Sequence, residues 1–211
     1  MVSSGLRILD GDVDTAVIAE YEVTRRDTLR RGLAAGGAAV LAATSIPLLL
    51  GVRNAFAQAE GDAEILTSAI GIEQIAVFAY DRAASSGLLD RATTAIARRF
   101  SAHEQEHADG LTSALEARGG SAPAKPRTLA DLDAVQRGLG DARSQADVTN
   151  FAIELEMAGI AAYYDAQTKF VDAKLLQTGA SIMANEGQHV TVLRQAARKT
   201  AVPSAFETGK G

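Results

Sequence analysis

The chain has 211 residues, 47% of them hydrophobic, a formal net charge of −5 and no cysteine. It is long enough for one domain with a hydrophobic core. The lack of cysteine excludes disulfides, thiolate zinc sites and iron–sulfur clusters. The mild negative charge and the absence of a basic stripe disfavour a protein that binds nucleic acid by neutralising phosphates.

The first 57 residues have the composition of an export signal. Arg25 and Arg26 precede 21 uncharged residues, 32–52, and a small-residue cleavage pattern ends at Ala57. The arginine pair resembles a twin-arginine signal, although Thr28 stands where such signals usually have Phe. The alternative is a retained membrane anchor, which would then be the only membrane contact. We predict cleavage and a domain, 58–211, that is periplasmic, in the cell envelope or secreted.

After residue 58 the chain shows helical periodicity and lacks the alternation typical of strands. The predicted long helices span residues 62–86, 90–118, 144–171 and 172–200. A short helix at 129–138 is predicted from the capping pair Thr128 and Asp131. The tail after Pro203 is expected to be loose. Two short connections and one long one predict an all-α four-helix bundle, made of two helical hairpins joined by a crossover.

Each long segment carries a glutamate in the middle of an otherwise apolar stripe. In the first segment, for example, Glu73 stands between Ile70 and Val77 at helical spacing. An ionised carboxylate that is buried without a partner costs several kcal/mol. Four such positions, one in each helix, predict that the carboxylates share bound cations.

The glutamates belong to a pattern that occurs twice. A Glu-x-x-His motif stands at 104–107 and again at 186–189, and a glutamate is followed by a tyrosine seven residues later at 73–80 and 156–163. The two glutamates of each half lie 31 and 30 residues apart. The chain is therefore interpreted as two similar hairpins. Paired about a pseudo-twofold axis, they would bring these groups to one level of the bundle.

This pattern suits two metal ions held between the helices. Carboxylates bridge cations, imidazole suits iron, manganese or zinc, and residues three apart share a helix face. Di-iron and di-manganese bundles use this set of side chains. The predicted ligands are Glu73, Glu104, His107, Glu156, Glu186 and His189. Of these, Glu104 and Glu186 would bridge the ions and are the candidate catalytic residues. We expect iron first and manganese second.

With these motifs the sequence resembles the ferritin-like superfamily, and it is most similar to ferritin-like domain proteins that bacteria export. The resemblance covers about residues 62–200 and rests on both Glu-x-x-His motifs and the glutamates that precede them. It implies a ferritin-like bundle whose di-metal centre reacts with oxygen or peroxide and oxidises Fe²⁺ or a small substrate. A homodimer is a further expectation from this family.

Three more residues are candidates for contacts with the ligands. Tyr80 and Tyr163 could donate hydrogen bonds to them or take part in redox chemistry, although a core aromatic with a satisfied hydroxyl is the simpler interpretation. His103 could face the site or the solvent, and a position outside the set of metal ligands is favoured. Glu154 lies off the apolar stripe and is interpreted as solvated.

Two other classes of function are compatible with the sequence. Residues 103–107 read His-Glu-x-x-His, the signature of zinc metallopeptidases, in which His103 and His107 would bind zinc and Glu104 would be the general base. The lack of strands and the unexplained repeat at 156–189 disfavour this alternative. The other class is a non-catalytic exported stress or interaction module with a structural metal site. The sequence therefore predicts a metal centre and leaves turnover open.

Overall fold

The computed structural model describes residues 58–59, 61–132 and 138–210. The predicted export signal, residues 1–57, lies outside these ranges. Within them, one helix, Asp62–Ser85, is long and apolar enough to cross a membrane by length and composition alone. Of its most apolar stretch, 56% is buried inside the protein, which is also expected of a core helix in a bundle.

The secondary structure that is described is entirely helical. The elements are α1 (Asp62–Ser85), α2 (Arg91–Glu116), a 3₁₀ turn (Leu129–Asp131), α3 (Gln145–Ala166) and α4 (Ala173–Ala196). Helix α1 packs on α2, and α3 packs on α4. Residues 117–132 and 138–144 belong to the long connection between these two hairpins, and the described ranges contain no strand. The predicted all-α, ferritin-like four-helix bundle is confirmed.

Side-chain caps set where three of the helices begin. The N-cap residues of α2, α3 and α4 are Asp90, Ser144 and Asp172, and each accepts a hydrogen bond from a backbone N–H two or three residues later. In the crossover, the Asp131 carboxylate accepts a hydrogen bond of 2.7 Å from the Thr128 N–H, as the predicted capping pair requires. Residues 133–137 of the predicted short helix lie outside the described ranges.

Helix α3 ends at Ala166, five residues before its predicted end at 171. A turn follows at residues 167–169. Beyond it, the carboxylate of Asp62, at the start of α1, accepts hydrogen bonds from the backbone N–H groups of Val171 and Asp172, at 2.9 and 3.0 Å. This contact between residues more than 100 positions apart holds the connection between α3 and α4, and helical periodicity alone does not reveal it.

The apolar core lies mainly in two layers, one toward each end of the bundle. One layer includes Ile65, Leu66, Ile70, Leu111, Leu115, Tyr163, Leu175 and Ile182. The other includes Tyr80, Phe100, Ile153 and Leu193. On every long helix the mid-helix glutamate falls between residues of the two layers. The bundle therefore encloses the four carboxylates between two apolar layers.

The C-terminal tail is docked on the bundle, so the expectation of a loose tail is wrong. Glu207 forms an ion pair with Arg194 of α4 at 2.9 Å, and Lys210 pairs with Asp165 of α3. Gly209 lies directly against the α3 backbone with φ of +67°. The residues that pair with the tail stand 13 and 45 positions earlier in the chain. Local composition carries no information on such distant contacts, so the sequence did not reveal the docking.

Substitution of Gly209 tests this docking. A Cβ there would lie 2.1 Å from the Met157 carbonyl oxygen and 2.3 Å from the Ala161 nitrogen, and positive φ favours glycine. We expect Gly209→Ala to release residues 197–210 and raise their rate of proteolytic cleavage several-fold. Limited proteolysis with mass spectrometry measures that rate. Gly187→Ala, whose Cβ meets nothing within 4 Å, is the control, and equal cleavage would contradict the docking.

Candidate metal centre

The structure brings all six predicted ligands together at the middle of the bundle. The four glutamates come one from each long helix, and each is at most 3% exposed. The histidines come from α2 and α4, one helical turn after a glutamate of the same helix. Because charged side chains are rarely buried without a partner, this concentration marks a specialised site.

The six side chains form two overlapping groups of four. One group comprises Glu73, Glu104, His107 and Glu186. The other comprises Glu104, Glu156, Glu186 and His189. Within each group every residue offers one ligand atom, and these atoms lie within 4.8 Å of one another. Glu104 and Glu186 belong to both groups, so they occupy the position between two possible ions.

The two shared glutamates direct one oxygen toward each histidine. Glu104 Oε2 lies 3.2 Å from His107 Nδ1, and its Oε1 lies 3.1 Å from His189 Nδ1. Glu186 Oε1 lies 3.3 Å from His107 Nδ1, and its Oε2 lies 3.6 Å from His189 Nδ1. The other two glutamates approach one histidine each, at 3.4 and 3.3 Å. This arrangement is compatible with the predicted two bridging and two terminal carboxylates.

A tyrosine of the opposite hairpin holds each of the other two glutamates. The Tyr80 hydroxyl donates to Glu156, and the Tyr163 hydroxyl donates to Glu73. Burial raises the pKa of both hydroxyls, and the neighbouring carboxylate raises it further, so both stay protonated and donate. The tyrosines therefore contact predicted ligands and are more than core aromatics.

The buried carboxylates need compensation by positive charge. Burial raises the pKa of Glu73 and Glu156 well above the ordinary value, and repulsion from neighbouring glutamates adds to this. Two divalent cations carry four positive charges, which would offset the four carboxylates. Such compensation removes most of the cost of burying these anions.

Three buried atoms of the centre lack a hydrogen-bond partner: Glu104 Oε1, Glu186 Oε1 and His189 Nδ1. Although Glu104 Oε1 and His189 Nδ1 are only 3.1 Å apart, the pair is not aligned for a hydrogen bond. An unsatisfied buried polar atom costs about 1–3 kcal/mol. Ligand atoms that converge without bonding one another are expected around a shared ion, and carboxylate with imidazole suits iron or manganese. The residues therefore fit a pair of metal ions.

His103 lies outside both groups and contacts a predicted ligand instead. Its Nδ1 is 2.9 Å from His189 Nε2, and the Phe100 ring stacks on the His189 ring with centroids 3.8 Å apart. Burial lowers the pKa of His103, and the neighbouring His189 lowers it further, so His103 is neutral at pH 7. The contact of Phe100 with His189 was not predicted. Its position four residues before Glu104, on the same helix face, was the available signal.

This arrangement does not support the zinc peptidase alternative. His107 joins the carboxylate cluster, whereas His103 pairs with His189. No group of potential metal ligands in the part of the chain described here includes His103. The same part contains no strand that could hold a peptide substrate.

One cleft reaches the centre from the surface between α2 and α4. Its volume is about 550 Å³, and His107 is in its lining. The His107 side chain is 14% exposed, against 2% for His189. Apart from Ile182, the other lining residues are small or polar, among them Glu106, Gly110, Ser181, Asn185 and Gln188. Small solutes can therefore approach the centre from the His107 side.

The fold and this cluster agree with the comparison to known proteins. The family profile of the ferritin-like domain matches residues 61–199, and the chain belongs to that family. Among solved structures, a conserved hypothetical protein, rv2844, from Mycobacterium tuberculosis is similar, with a TM-score of 0.54 and 18% identity over 75% of this chain and 99% of that one. At that identity the likeness concerns the fold alone. No curated protein matches the chain significantly.

Metal binding at this centre should displace protons from the histidines. Burial alone would lower the pKa of His107 and His189, but the glutamate oxygens that lie 3.1 to 3.6 Å from their Nδ1 atoms outweigh it and raise the values to about 12 and about 11. In the metal-free protein both rings are therefore protonated at neutral pH. A metal ion has to displace a proton from each ring before it can bind there.

We expect the affinity for Mn²⁺ to rise with pH, while the metal-free protein loses stability. The folded-state pKa values lie above the unfolded value of 6.5, so the folded form binds more protons and its advantage is lost as pH rises from 6.5 toward 11. Denaturant unfolding of the full chain with and without Mn²⁺, at several pH values above 6.5, measures both trends. A metal-free protein that becomes more stable over this range would contradict the assignment.

Proposed function

We propose that the protein oxidises Fe²⁺ with oxygen or peroxide at this centre. The observation that carries the proposal is the pair Glu104 and Glu186, which direct one oxygen each toward both histidines. Side chains placed in this way can hold two cations close enough to pass two electrons to one oxidant. The family membership supports the same reaction class.

The reaction balances for either oxidant. With hydrogen peroxide, two Fe²⁺ ions each lose one electron, the O–O bond breaks, and two protons are taken up as two waters form. With oxygen, two Fe²⁺ ions and two protons reduce one oxygen molecule to hydrogen peroxide. Both versions need two ions near each other, which two shared carboxylates provide.

The side chains of the centre have separate roles in this proposal. Glu104 and Glu186 would hold the two cations. The tyrosine hydroxyls fix the orientation of Glu73 and Glu156, and the apolar layers on both sides keep bulk water out. Bound iron or manganese supplies one-electron redox chemistry. Preorganised ligands reduce the rearrangement that accompanies a change of metal charge.

The cleft beside His107 favours a small cationic or neutral substrate. Its lining contains the carboxylate of Glu106 and no lysine or arginine. The protonated ring of His107 also borders the cleft, and it loses this positive charge when a metal displaces its proton. A divalent cation is attracted by such a lining, and oxygen or peroxide is not repelled, whereas an anionic substrate would be. With the predicted export signal, we place this reaction in the periplasm, the cell envelope or the medium. A homodimer stays an expectation.

Iron oxidation by the metal-free full chain tests the proposal. Two Fe²⁺ per chain are added without oxygen, the sample is mixed with oxygen or peroxide, and Fe³⁺ absorbance is followed by stopped flow. We expect the Glu104→Gln, Glu186→Gln double variant to lose at least tenfold in rate, because ΔΔG‡ of about 1.4 kcal/mol already gives that factor. Glu154→Gln, which makes the same chemical change outside the ligand groups, should keep the wild-type rate.

The metal content of the chain, measured after Fe²⁺, Mn²⁺ and Zn²⁺ are offered together, gives the other outcomes a defined meaning. Two metals per chain without oxidation above the variant's rate would replace the proposal with a structural metal site in a non-catalytic module. One zinc per chain that depends on His103 would favour the peptidase. Equal rates in wild type and double variant would show that the centre does not catalyse the reaction.

Filling the cleft tests whether it is the route to the centre. The Cβ of a residue at Gly110 would meet nothing within 4 Å, and the same holds for Gly71, which lines a separate cleft against the crossover. We expect Gly110→Leu to slow Co²⁺ uptake several-fold, measured by visible absorption. Gly71→Leu should not slow this uptake. Both variants should gain up to about 1 kcal/mol of helix stability, so a difference in uptake rate between them reflects the cleft and not stability. Equal uptake rates would rule out this route.

A further inference from the structure

The two histidines of the centre have different surroundings although their motifs repeat. His189 is 2% exposed and His107 is 14% exposed. The residue before the motif glutamate is His103 in α2 and Asn185 in α4. His103 reaches across to His189 of the other hairpin, whereas Asn185 lines the cleft beside His107. The pseudo-twofold repeat is therefore broken just outside the ligands.

The contact between His103 and His189 has one consistent proton assignment. His189 Nδ1 faces the carboxylates of Glu104 and Glu156, at 3.1 and 3.3 Å, so Nδ1 is the nitrogen that a metal would take. A metal-bound imidazole keeps its proton on the other nitrogen. That nitrogen, Nε2, lies 2.9 Å from His103 Nδ1, which must then be the acceptor.

The rotation of the His189 ring is restrained on more than one side. Phe100 stacks on the ring with an interplanar angle of 22° and centroids 3.8 Å apart. Stacking restricts the tilt of the ring, but it does not distinguish the two ring flips that exchange Nδ1 and Cδ2. The hydrogen bond to His103 does, because after a flip Nε2 and its proton would no longer point at His103.

We propose that His103 is a positioning residue, which accepts a hydrogen bond from the Nε2–H of His189 and so keeps Nδ1 of His189 directed toward the carboxylates. As a result, the His189 half of the centre binds its metal more tightly than the His107 half. This inference rests on the metal-binding part of the proposed function and not on the oxidation reaction. Partners that orient a metal-binding imidazole typically change metal affinity by about 10–100-fold.

Two substitutions of His103 separate its hydrogen bond from its bulk. His103→Leu keeps a side chain against Phe100 but removes the acceptor. His103→Asn places an acceptor oxygen, Oδ1, as many bonds from the backbone as Nδ1 is in histidine. Asn185→Leu makes the matched change at the equivalent position of the other hairpin. Since His103 is partly exposed, we expect all three variants to fold, and circular dichroism of the metal-free proteins verifies it.

Competition of the full chain with a chromophoric chelator for Zn²⁺ gives the affinities of both metal positions. We expect two distinct affinities in the wild type. His103→Leu should weaken the tighter one about 10–100-fold, His103→Asn should restore it to within about threefold, and Asn185→Leu should leave it unchanged. Oxidation activity does not enter this measurement.

Three results would overturn the inference. Equal weakening in His103→Leu and His103→Asn would show that only the bulk of the ring matters. Wild-type affinities in His103→Leu would show that His103 has no positioning role. A wild type that binds no metal would overturn the metal centre and this inference together. Metal binding without iron oxidation would overturn the proposed reaction alone and leave the result on His103 standing.

Discussion

The burial of four carboxylates at one level of the bundle is the constraint on which the rest of the structure depends. Each glutamate comes from a different helix, and each loses its hydration between two apolar layers. In the metal-free protein, protonated histidines and raised carboxyl pKa values reduce the repulsion. Two divalent cations would compensate the same charge more completely. Folding and metal binding are therefore linked through the same side chains.

The contacts around the centre also connect the two hairpins to each other. Tyr80 of the first hairpin donates to Glu156 of the second, and Tyr163 of the second donates to Glu73 of the first. Both tyrosines are also members of the apolar layers. The same residues thus contribute to the core and orient the predicted ligands, so a change in core packing would be transmitted directly to the metal positions.

The centre has a closed half and an open half despite the internal repeat. His189 is covered by Phe100 and bonded to His103, while His107 borders the cleft between α2 and α4. The His189 side chain is 2% exposed, against 14% for His107. An ion, oxygen or peroxide would therefore reach the centre at the half where His107 lies. This difference arises from residues outside the repeated motifs, which can vary without changing the ligand set.

The helical period and the two Glu-x-x-His motifs are sufficient to predict the fold class and the cluster, because residues three apart share a helix face. The predicted site residues came together for that reason, whereas their metal-binding roles and the export signal stay predictions. Only the tertiary structure decided the partners of the tyrosines, the pairing of His103 with His189, the contact of Asp62 with the connection between α3 and α4, and the docked tail. Each of these depends on how distant helices rotate and shift against one another, and local periodicity carries no information on that.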